Sequence, residues 1–101
     1  MNKLSDDTRL RLADDNVWSQ LGEEIVILDL ASSSYLGLDD VGAAVWDMLT
    51  EPRRVDELET DLAAAYEVDL REISRDLRPF LEELVTRGLL VLDEEESEPV
   101  P

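Results

Sequence analysis

The chain of 101 residues carries a formal net charge of −17, contains neither cysteine nor histidine, and is long enough for one domain with one modest core. Without those two residue types, disulfides, thiolate metal sites and the usual proton shuttle are excluded, and we expect no cofactor and no metal centre. The acidity also disfavours binding to nucleic acid or to an anionic membrane. Apolar runs such as Ile25–Leu28 are too short to cross a bilayer and no signal-peptide pattern is present, so we predict a cytoplasmic protein.

Both ends of the chain have compositions typical of unstructured segments. Residues 1–13 are predicted to be a flexible N-terminal segment, because their first part is polar and carries no apolar run. Residues 93–101 combine a run of acids with two prolines and bury too little apolar surface to become ordered. The folded domain is therefore predicted to span residues 14–92, with a disordered acidic tail after it.

The first part of this domain has the pattern of three strands joined by tight turns. Strands are predicted at Val17–Leu21, Ile25–Leu30 and Tyr35–Leu38, because these runs are rich in β-branched and aromatic residues. The turns fall at residues 22–24 and 31–34, and connections this short make neighbouring strands antiparallel. The third strand is then an edge of the sheet, with unpaired backbone N–H and C=O groups along one side.

After this sheet the apolar period changes from two to about 3.6 residues, which predicts helices. The first helix begins at Asp39 or Asp40, either of which can cap it, and Pro52 ends it. A second helix is predicted over Val55–Tyr66, where one apolar stripe repeats at helical spacing.

A third helix is predicted from Asp69, with Glu72 placed for a capping box, to a stop at Gly88. Leu89–Leu92 is predicted to return to the core as a short extended segment. Pro79 lies inside this helix, where proline costs roughly 3 kcal/mol, so we expect a kink. The alternative is that Pro79 divides the region into two shorter helices.

The order of the elements predicts an α+β, winged-helix-like fold with a three-stranded antiparallel sheet followed by a three-helix bundle. A winged helix suggests DNA binding, and Arg71, Arg75 and Arg78 share one face of the third helix. Acids surround these arginines, however, and phosphate contacts supply most non-specific affinity, so we interpret them as partners of acids on neighbouring turns. We predict no enzymatic activity, because a carboxylate dyad needs a concave and partly dry site that so small a chain scarcely provides.

Three runs follow one another closely: Ile25–Leu30 (IVILDL), Tyr35–Asp39 (YLGLD) and Val41–Trp46 (VGAAVW). In these runs the sequence resembles the PqqD-like proteins, in which a strand ending in Leu-Leu-Asp is followed by a second strand and then by Gly-Ala-x-Ile-Trp at the start of a helix. The resemblance covers about residues 14–92. Three departures are Ser33 for the usual Gly, Asp39 for Asn and Arg54 for a capping Ser or Thr; they predict a changed second turn, a retained cap and a missing side-chain cap. The matching segments are Ile25–Leu30, Tyr35–Asp39, Val41–Trp46, Val55–Leu58, Val68–Asp69 and Arg87–Leu90.

The resemblance implies a module that binds the leader region of a ribosomally synthesised precursor peptide. In that family the leader adds as a strand to the edge of the third β-strand and lies between it and the third helix. Stand-alone members of this size are most similar to those of lasso-peptide pathways, which present the precursor to a leader peptidase and a cyclase. Another modified-peptide pathway, with another tailoring enzyme, remains open, and we expect a monomer.

The residues themselves fit this mechanism. A short exposed edge strand is a template for strand addition, and flanking pockets then select side chains of the added peptide. Acids on the rim of such a groove steer a basic peptide towards it. The predicted peptide-binding residues are Ser34, Tyr35, Leu36, Gly37, Leu38, Asp39, Ile73, Asp76, Leu77, Phe80, Glu83 and Leu84.

The charge distribution keeps a second function open. Residues 12–52 contain nine acids and no basic residue, and the simplest reading of this acidity is solubility. The alternative function is an acidic DNA mimic that blocks a basic nucleic-acid-binding protein. Such a mimic predicts strongly salt-dependent binding to a folded basic partner, with little need for the strand edge.

Overall fold

A computed structural model describes residues 4–30 and 32–93, in which six strands and three helices are assigned. None of the helices in these two ranges is both long and apolar enough to span a bilayer. The elements are β1 (Arg9–Leu12), β2 (Val17–Leu21), β3 (Glu24–Asp29), β4 (Ser34–Leu38), α1 (Asp40–Met48), β5 (Arg53–Arg54), α2 (Val55–Tyr66), α3 (Leu70–Thr86) and β6 (Leu90–Leu92).

The first sheet has the strand order β2-β3-β4, with both pairs antiparallel. Its central strand, β3, pairs Ile27 with Trp18 on one side and with Leu36 on the other. Together with the three helices, this sheet confirms the predicted α+β class. The predicted third strand is β4, and both β3 and β4 begin one residue earlier than the sequence suggests.

A second sheet, with the strand order β5-β1-β6, is absent from the sequence prediction. Arg9–Leu12 lies within the segment predicted to be flexible, yet it forms β1 and pairs antiparallel with Leu90–Leu92. Leu10 is fully buried between the half-buried Arg9 and Arg11. One of the two partners of β1, the strand Leu90–Leu92, lies almost a whole chain length away, which local composition does not reveal. The predicted tail beyond Asp93 and residues 1–3 lie outside the described residues.

The core lies between the first sheet and the helices. Val55, Leu58 and Leu62 recur at helical spacing on α2, and all three are buried. Trp46 of α1 is also fully buried and packs edge-to-face against Trp18 of β2, with ring centroids 5.9 Å apart. The other buried apolar residues are Leu4, Leu10, Ile25, Ile27, Leu38, Val45, Leu49, Leu77, Leu81, Leu84, Leu89 and Leu90.

The helix termini agree with the sequence at two of three starts. At α3, Asp69 caps the helix as predicted, because its Oδ1 accepts a hydrogen bond from Arg71 N at 3.1 Å; the predicted capping box with Glu72 does not form, since Glu72 N donates to the backbone oxygen of Asp69. At α2, the residue before the helix is Arg54 and its side chain makes no cap, as expected; Glu57 Oε1 instead accepts from Arg54 N at 3.0 Å. At α1 the prediction is wrong, because Asp39 occupies the capping position without a side-chain capping bond.

Pro79 does not divide the third helix, since α3 runs from Leu70 to Thr86 as one element. The alternative of two shorter helices is therefore wrong, whereas the kink stays a prediction. Pro79 is exposed, so its ring lies on the solvent side of the helix and leaves the buried face of α3 to Leu77, Leu81 and Leu84.

Candidate functional site

The candidate site begins at β4, which is an edge strand of the sheet β2-β3-β4. Side chains alternate along it: Leu38 is buried and Leu36 is half-buried against the core, whereas Tyr35 is 73% exposed. Tyr35 and Gly37 therefore face outward and Leu36 and Leu38 face inward. Within the described residues β4 pairs with β3 alone, which leaves its other side available for a further strand.

Gly37 lies beside a carboxylate of the neighbouring strand. A Cβ added at Gly37 would come within 3.3 Å of Glu24 Oε2, which is tighter than an ordinary contact. The outer face of β4 is thus flat at Gly37, and Glu24 fills the space that a side chain would take. This arrangement adds an acid close to the free edge that the sequence analysis did not consider.

A cavity of about 300 Å³ lies between the three helices, next to the end of β4. It is apolar apart from one carboxylate, Asp76, at its rim. Four of the predicted site residues, Ile73, Asp76, Leu77 and Phe80, come together in its wall on α3. The complete lining is Val41, Gly42, Leu62, Ile73, Asp76, Leu77 and Phe80.

The cavity and the strand edge meet around Gly42, near the start of α1. A Cβ built on Gly42 would lie 3.6 Å from both Leu38 Cβ, at the end of β4, and Phe80 Cζ, on α3. The carboxyl end of β4 therefore lies next to the cavity wall at Gly42.

Other predicted site residues lie elsewhere. Leu84 is buried in the core and does not line the cavity. Glu83 is exposed and accepts a hydrogen bond from Arg87 Nε at 2.9 Å. Ser34 Oγ lies 2.7 Å from Ser32 Oγ in the turn before β4, and Asp39 is exposed just beyond the strand.

Three cavity residues, Val41, Gly42 and Leu62, were not among the predicted site residues. Val41 and Leu62 lie on the apolar stripes of their helices, a pattern that favours core positions and cannot distinguish a cavity wall from a filled core. Gly42 gives no local signal, because its contribution is the absence of a side chain.

Two arginines of α3 pair with acids. Arg75 lies 3.8 Å from Asp76 of its own helix, one of the acids that the sequence suggests, whereas Arg78 pairs with acids of other elements. Arg78 Nε donates to Glu59 Oε2 of α2 at 2.7 Å, and Arg78 Nη2 donates to Asp6 Oδ1 at 2.5 Å. The hydrogen bond with Glu59 raises the pKa of Arg78 above its usual value. Arg78 therefore pairs across elements, which corrects the prediction of partners within its own helix.

The outer face of the first sheet carries an apolar row across all three strands, which is exposed at its two ends and half-buried at Leu28 in the middle. Leu28 of β3 pairs with Val17 of β2 on one side and with Tyr35 of β4 on the other. Val17 and Tyr35 are 51% and 73% exposed. This row lies on the face opposite the core, so it is separate from the cavity.

Comparison with known proteins places the fold and the family. The sequence profile described as coenzyme PQQ synthesis protein D (PqqD) matches residues 24–90. A PqqA binding protein of Rhizobium meliloti (strain 1021) is 31% identical over 61 residues, which are 60% of this chain and 62% of that relative. The chain thus spans less than two thirds of the length of this curated relative.

Two solved structures have the same fold. TbiB1 in complex with the TbiA(beta) leader peptide matches with a TM-score of 0.72 and 38% identity, covering 79% of this chain and 93% of that one. The solution structure of the PqqD truncation of Methylobacterium extorquens PqqCD, a stand-alone recognition element for ribosomally synthesised and modified peptides, gives a TM-score of 0.70. That match covers 87% of this chain and 94% of the other at 23% identity, which shows the fold alone. These matches confirm the resemblance read from the sequence, and because the profile extends from β3 to the start of β6, the chain belongs to the PqqD family.

Proposed function

We propose that this chain binds the leader region of a ribosomally synthesised precursor peptide by strand addition to β4, without catalysing a reaction itself. The observation that carries the proposal is the free edge of β4, which ends next to the wall of an apolar cavity at Gly42. The likeness to TbiB1, whose structure contains a leader peptide, supports the same use of this fold. The name of the curated relative, a PqqA binding protein, supports a peptide ligand as well.

Strand addition divides the recognition between backbone and side chains. The unpaired N–H and C=O groups of β4 supply hydrogen bonds that depend little on the sequence of the guest. Because side chains alternate along a strand, every second guest residue faces α3, where Phe80 and Ile73 are half-buried and available for apolar contact. The cavity then provides the position at which one guest side chain is selected.

The charge around the cleft favours a basic leader. Asp39 and Asp40 are exposed just beyond the end of β4, and Asp76 lies at the rim of the cavity. Opposite charges that remain hydrated at a rim accelerate association more than they strengthen the final complex. We therefore expect these acids to guide a Lys- or Arg-containing peptide to the apolar cleft.

A presenting module also needs a surface for the enzyme that acts on the peptide. The apolar row of Val17, Leu28 and Tyr35 lies on the opposite side of the sheet from the core, so a partner can contact it while the edge is occupied. Exposed apolar patches of this kind are typical of protein interfaces. The partner in this proposal is a tailoring enzyme, a leader peptidase acting with a cyclase in lasso-peptide maturation, and the module acts as a monomer.

The test is a titration of the purified protein with a fluorescent leader peptide encoded by a short open reading frame beside this gene. Gly37→Pro removes a backbone N–H from β4. Gln20→Pro on the opposite edge strand is its matched control: Gln20 pairs with Ile25 and Gly37 with the next residue, Val26, and because neighbouring residues of β3 hydrogen-bond to opposite sides, the backbone N–H groups of Gln20 and Gly37 have the same orientation relative to β3. Phe80→Ala tests the apolar wall. We expect binding to persist at moderate salt, to be lost in the Gly37 and Phe80 variants, and to survive in the Gln20 variant.

Two outcomes would contradict the proposal. The first is that the unmodified protein does not bind the leader peptide. The second is that the leader binds the Gly37→Pro and Phe80→Ala variants as tightly as the unmodified protein but is released by added salt, which would favour the acidic DNA mimic, whose partner is a folded basic protein.

A further inference from the structure

Gly42 is a glycine that the fold itself does not require. Among the described glycines, positive φ angles occur at Gly22 and Gly88, so Gly42 has a backbone conformation that any L-residue adopts. A Cβ at Gly42 would meet Leu38 and Phe80 at 3.6 Å, which is ordinary van der Waals contact. Glycine also stabilises a helix less than alanine does. Neither conformation nor crowding therefore explains glycine at this position.

The cavity supplies an explanation. Gly42 forms part of its wall, between the end of β4 and the half-buried ring of Phe80. A side chain at position 42 would project into the space between Leu38 and Phe80, beside the end of β4. The missing side chain therefore leaves volume free at the wall of the cavity that lies nearest to the strand edge.

We infer that Gly42 determines the size of the guest side chain that the cavity accepts, and that this side chain is large and apolar. The inference rests on the proposed peptide-binding function. A closed cavity of about 150 Å³ with apolar walls binds benzene, so about 300 Å³ is ample for one aromatic or leucine-sized side chain. Asp76 is the single charged lining residue and stays at the rim, so the interior selects by size and apolarity.

The decisive variant is Gly42→Ala, because it separates stability from binding. Alanine favours α1, so the melting temperature is expected to stay the same or rise, which rules out a damaged fold as the cause of weaker binding. The leader peptide is expected to bind roughly tenfold more weakly, since one methyl group in an apolar pocket changes discrimination by about that factor or more. Asp47→Ala is the control, because Asp47 is an exposed residue of the same helix that does not line the cavity.

Leader variants then identify the guest residue. Each large apolar residue of the leader is replaced by alanine in turn and titrated into the unmodified protein and into Gly42→Ala. At one leader position the replacement is expected to abolish the difference between the two proteins, because the side chain that the new methyl group obstructs is gone. Wild-type affinity in Gly42→Ala, or an equal loss for every leader variant, would overturn the inference.

A probe without a peptide keeps this result separate from the proposed function. Toluene, a small-molecule analogue of the phenylalanine side chain, is added to the protein, and the methyl signals of Leu62, Ile73 and Leu77 are followed by NMR. Shifts of these signals in the unmodified protein that vanish in Gly42→Leu support the size limit even where a chosen leader fails to bind. Equal shifts in both proteins, or none in the unmodified protein, would contradict it.

Discussion

Arg78 of α3 donates from Nε to the buried carboxylate of Glu59 on α2, with a distance of 2.7 Å between Nε and Oε2. A second bond runs from Arg78 Nη2 to Glu59 Oε1 at 3.1 Å, which makes the pair bidentate. The same guanidinium donates from Nη1 to the backbone oxygen of Leu4 at 3.2 Å, so it also holds the segment that precedes β1. One side chain thus connects two helices that support the candidate site with the N-terminal segment.

Removal of this guanidinium should destabilise the fold. In Arg78→Met the carboxylate of Glu59 stays buried without its partner, which costs about 3 kcal/mol in comparable pairs. The Arg78→Met/Glu59→Leu double variant should recover a large part of that loss, because it leaves no buried charge unpaired. Urea denaturation measures both. Arg75→Met is the control, since Arg75 is exposed and lies 3.8 Å from the exposed Asp76, and it should change stability by less than about 0.5 kcal/mol. An equally large loss of stability in Arg75→Met would show that replacing any arginine of α3 with methionine destabilises the fold, so that the loss in Arg78→Met could not be assigned to the pair with Glu59.

Ser33 lies in the turn before β4 with a φ of 58°, in the left-handed region that glycine adopts without strain. The turn has therefore kept a glycine-like backbone, whereas the sequence suggested a different geometry at this departure from the family pattern. Ser33→Gly should raise the free energy of unfolding by about 0.5–1 kcal/mol. Thermal or urea unfolding tests this, with Ser32→Gly as the neighbour that lacks a positive φ. Stabilisation by both changes, or by neither, would contradict the assignment of strain to Ser33.

Local patterns predicted the helices best and long-range pairing worst. The bounds of α2, Val55–Tyr66, were predicted from its apolar stripe and coincide with the structure. β1 was missed because its partner, Leu90–Leu92, lies at the other end of the chain and two arginines make the strand itself look polar. In the candidate site, the helical spacing of apolar residues predicted the residues of α3 that line the cavity. It did not predict Gly42, because a pattern of side chains does not reveal an unfilled volume.

The ion pair of Asp56 with Arg54 should make the stability of the fold depend on pH. Arg54 donates to both carboxylate oxygens of Asp56, at 3.0 and 2.8 Å, and these hydrogen bonds hold the pKa of Asp56 below its ordinary value of 3.8. A carboxyl group with a lowered pKa in the folded state stabilises that state above the unfolded pKa, and the contribution is lost as pH falls through the folded pKa. Asp56→Asn should therefore be less stable than the unmodified protein at neutral pH and equal to it in acid.

Urea unfolding of the two proteins across the acid range measures this difference, and an NMR titration of the Asp56 carboxyl gives its pKa directly. The difference should also shrink with added salt, because the pair is exposed. A difference that persists unchanged in acid would mean that Asp56 acts through helix α2 rather than through its charge.

Asp76 should control how fast a basic leader arrives rather than how long it stays. Its side chain is 76% exposed at the rim of the cavity, where a charge remains hydrated in the complex. Asp76→Asn should lower the association rate constant roughly two- to threefold at low ionic strength and leave the dissociation rate nearly unchanged. Stopped-flow fluorescence with the labelled leader measures both rates. Asp61→Asn is the control, because it removes the same charge from an exposed position of α2 that lines a different, polar depression beside Arg53 and Arg54. Equal slowing in both variants would assign the effect to the net charge of −17 as a whole, and faster dissociation in Asp76→Asn alone would mean that Asp76 contacts the bound peptide.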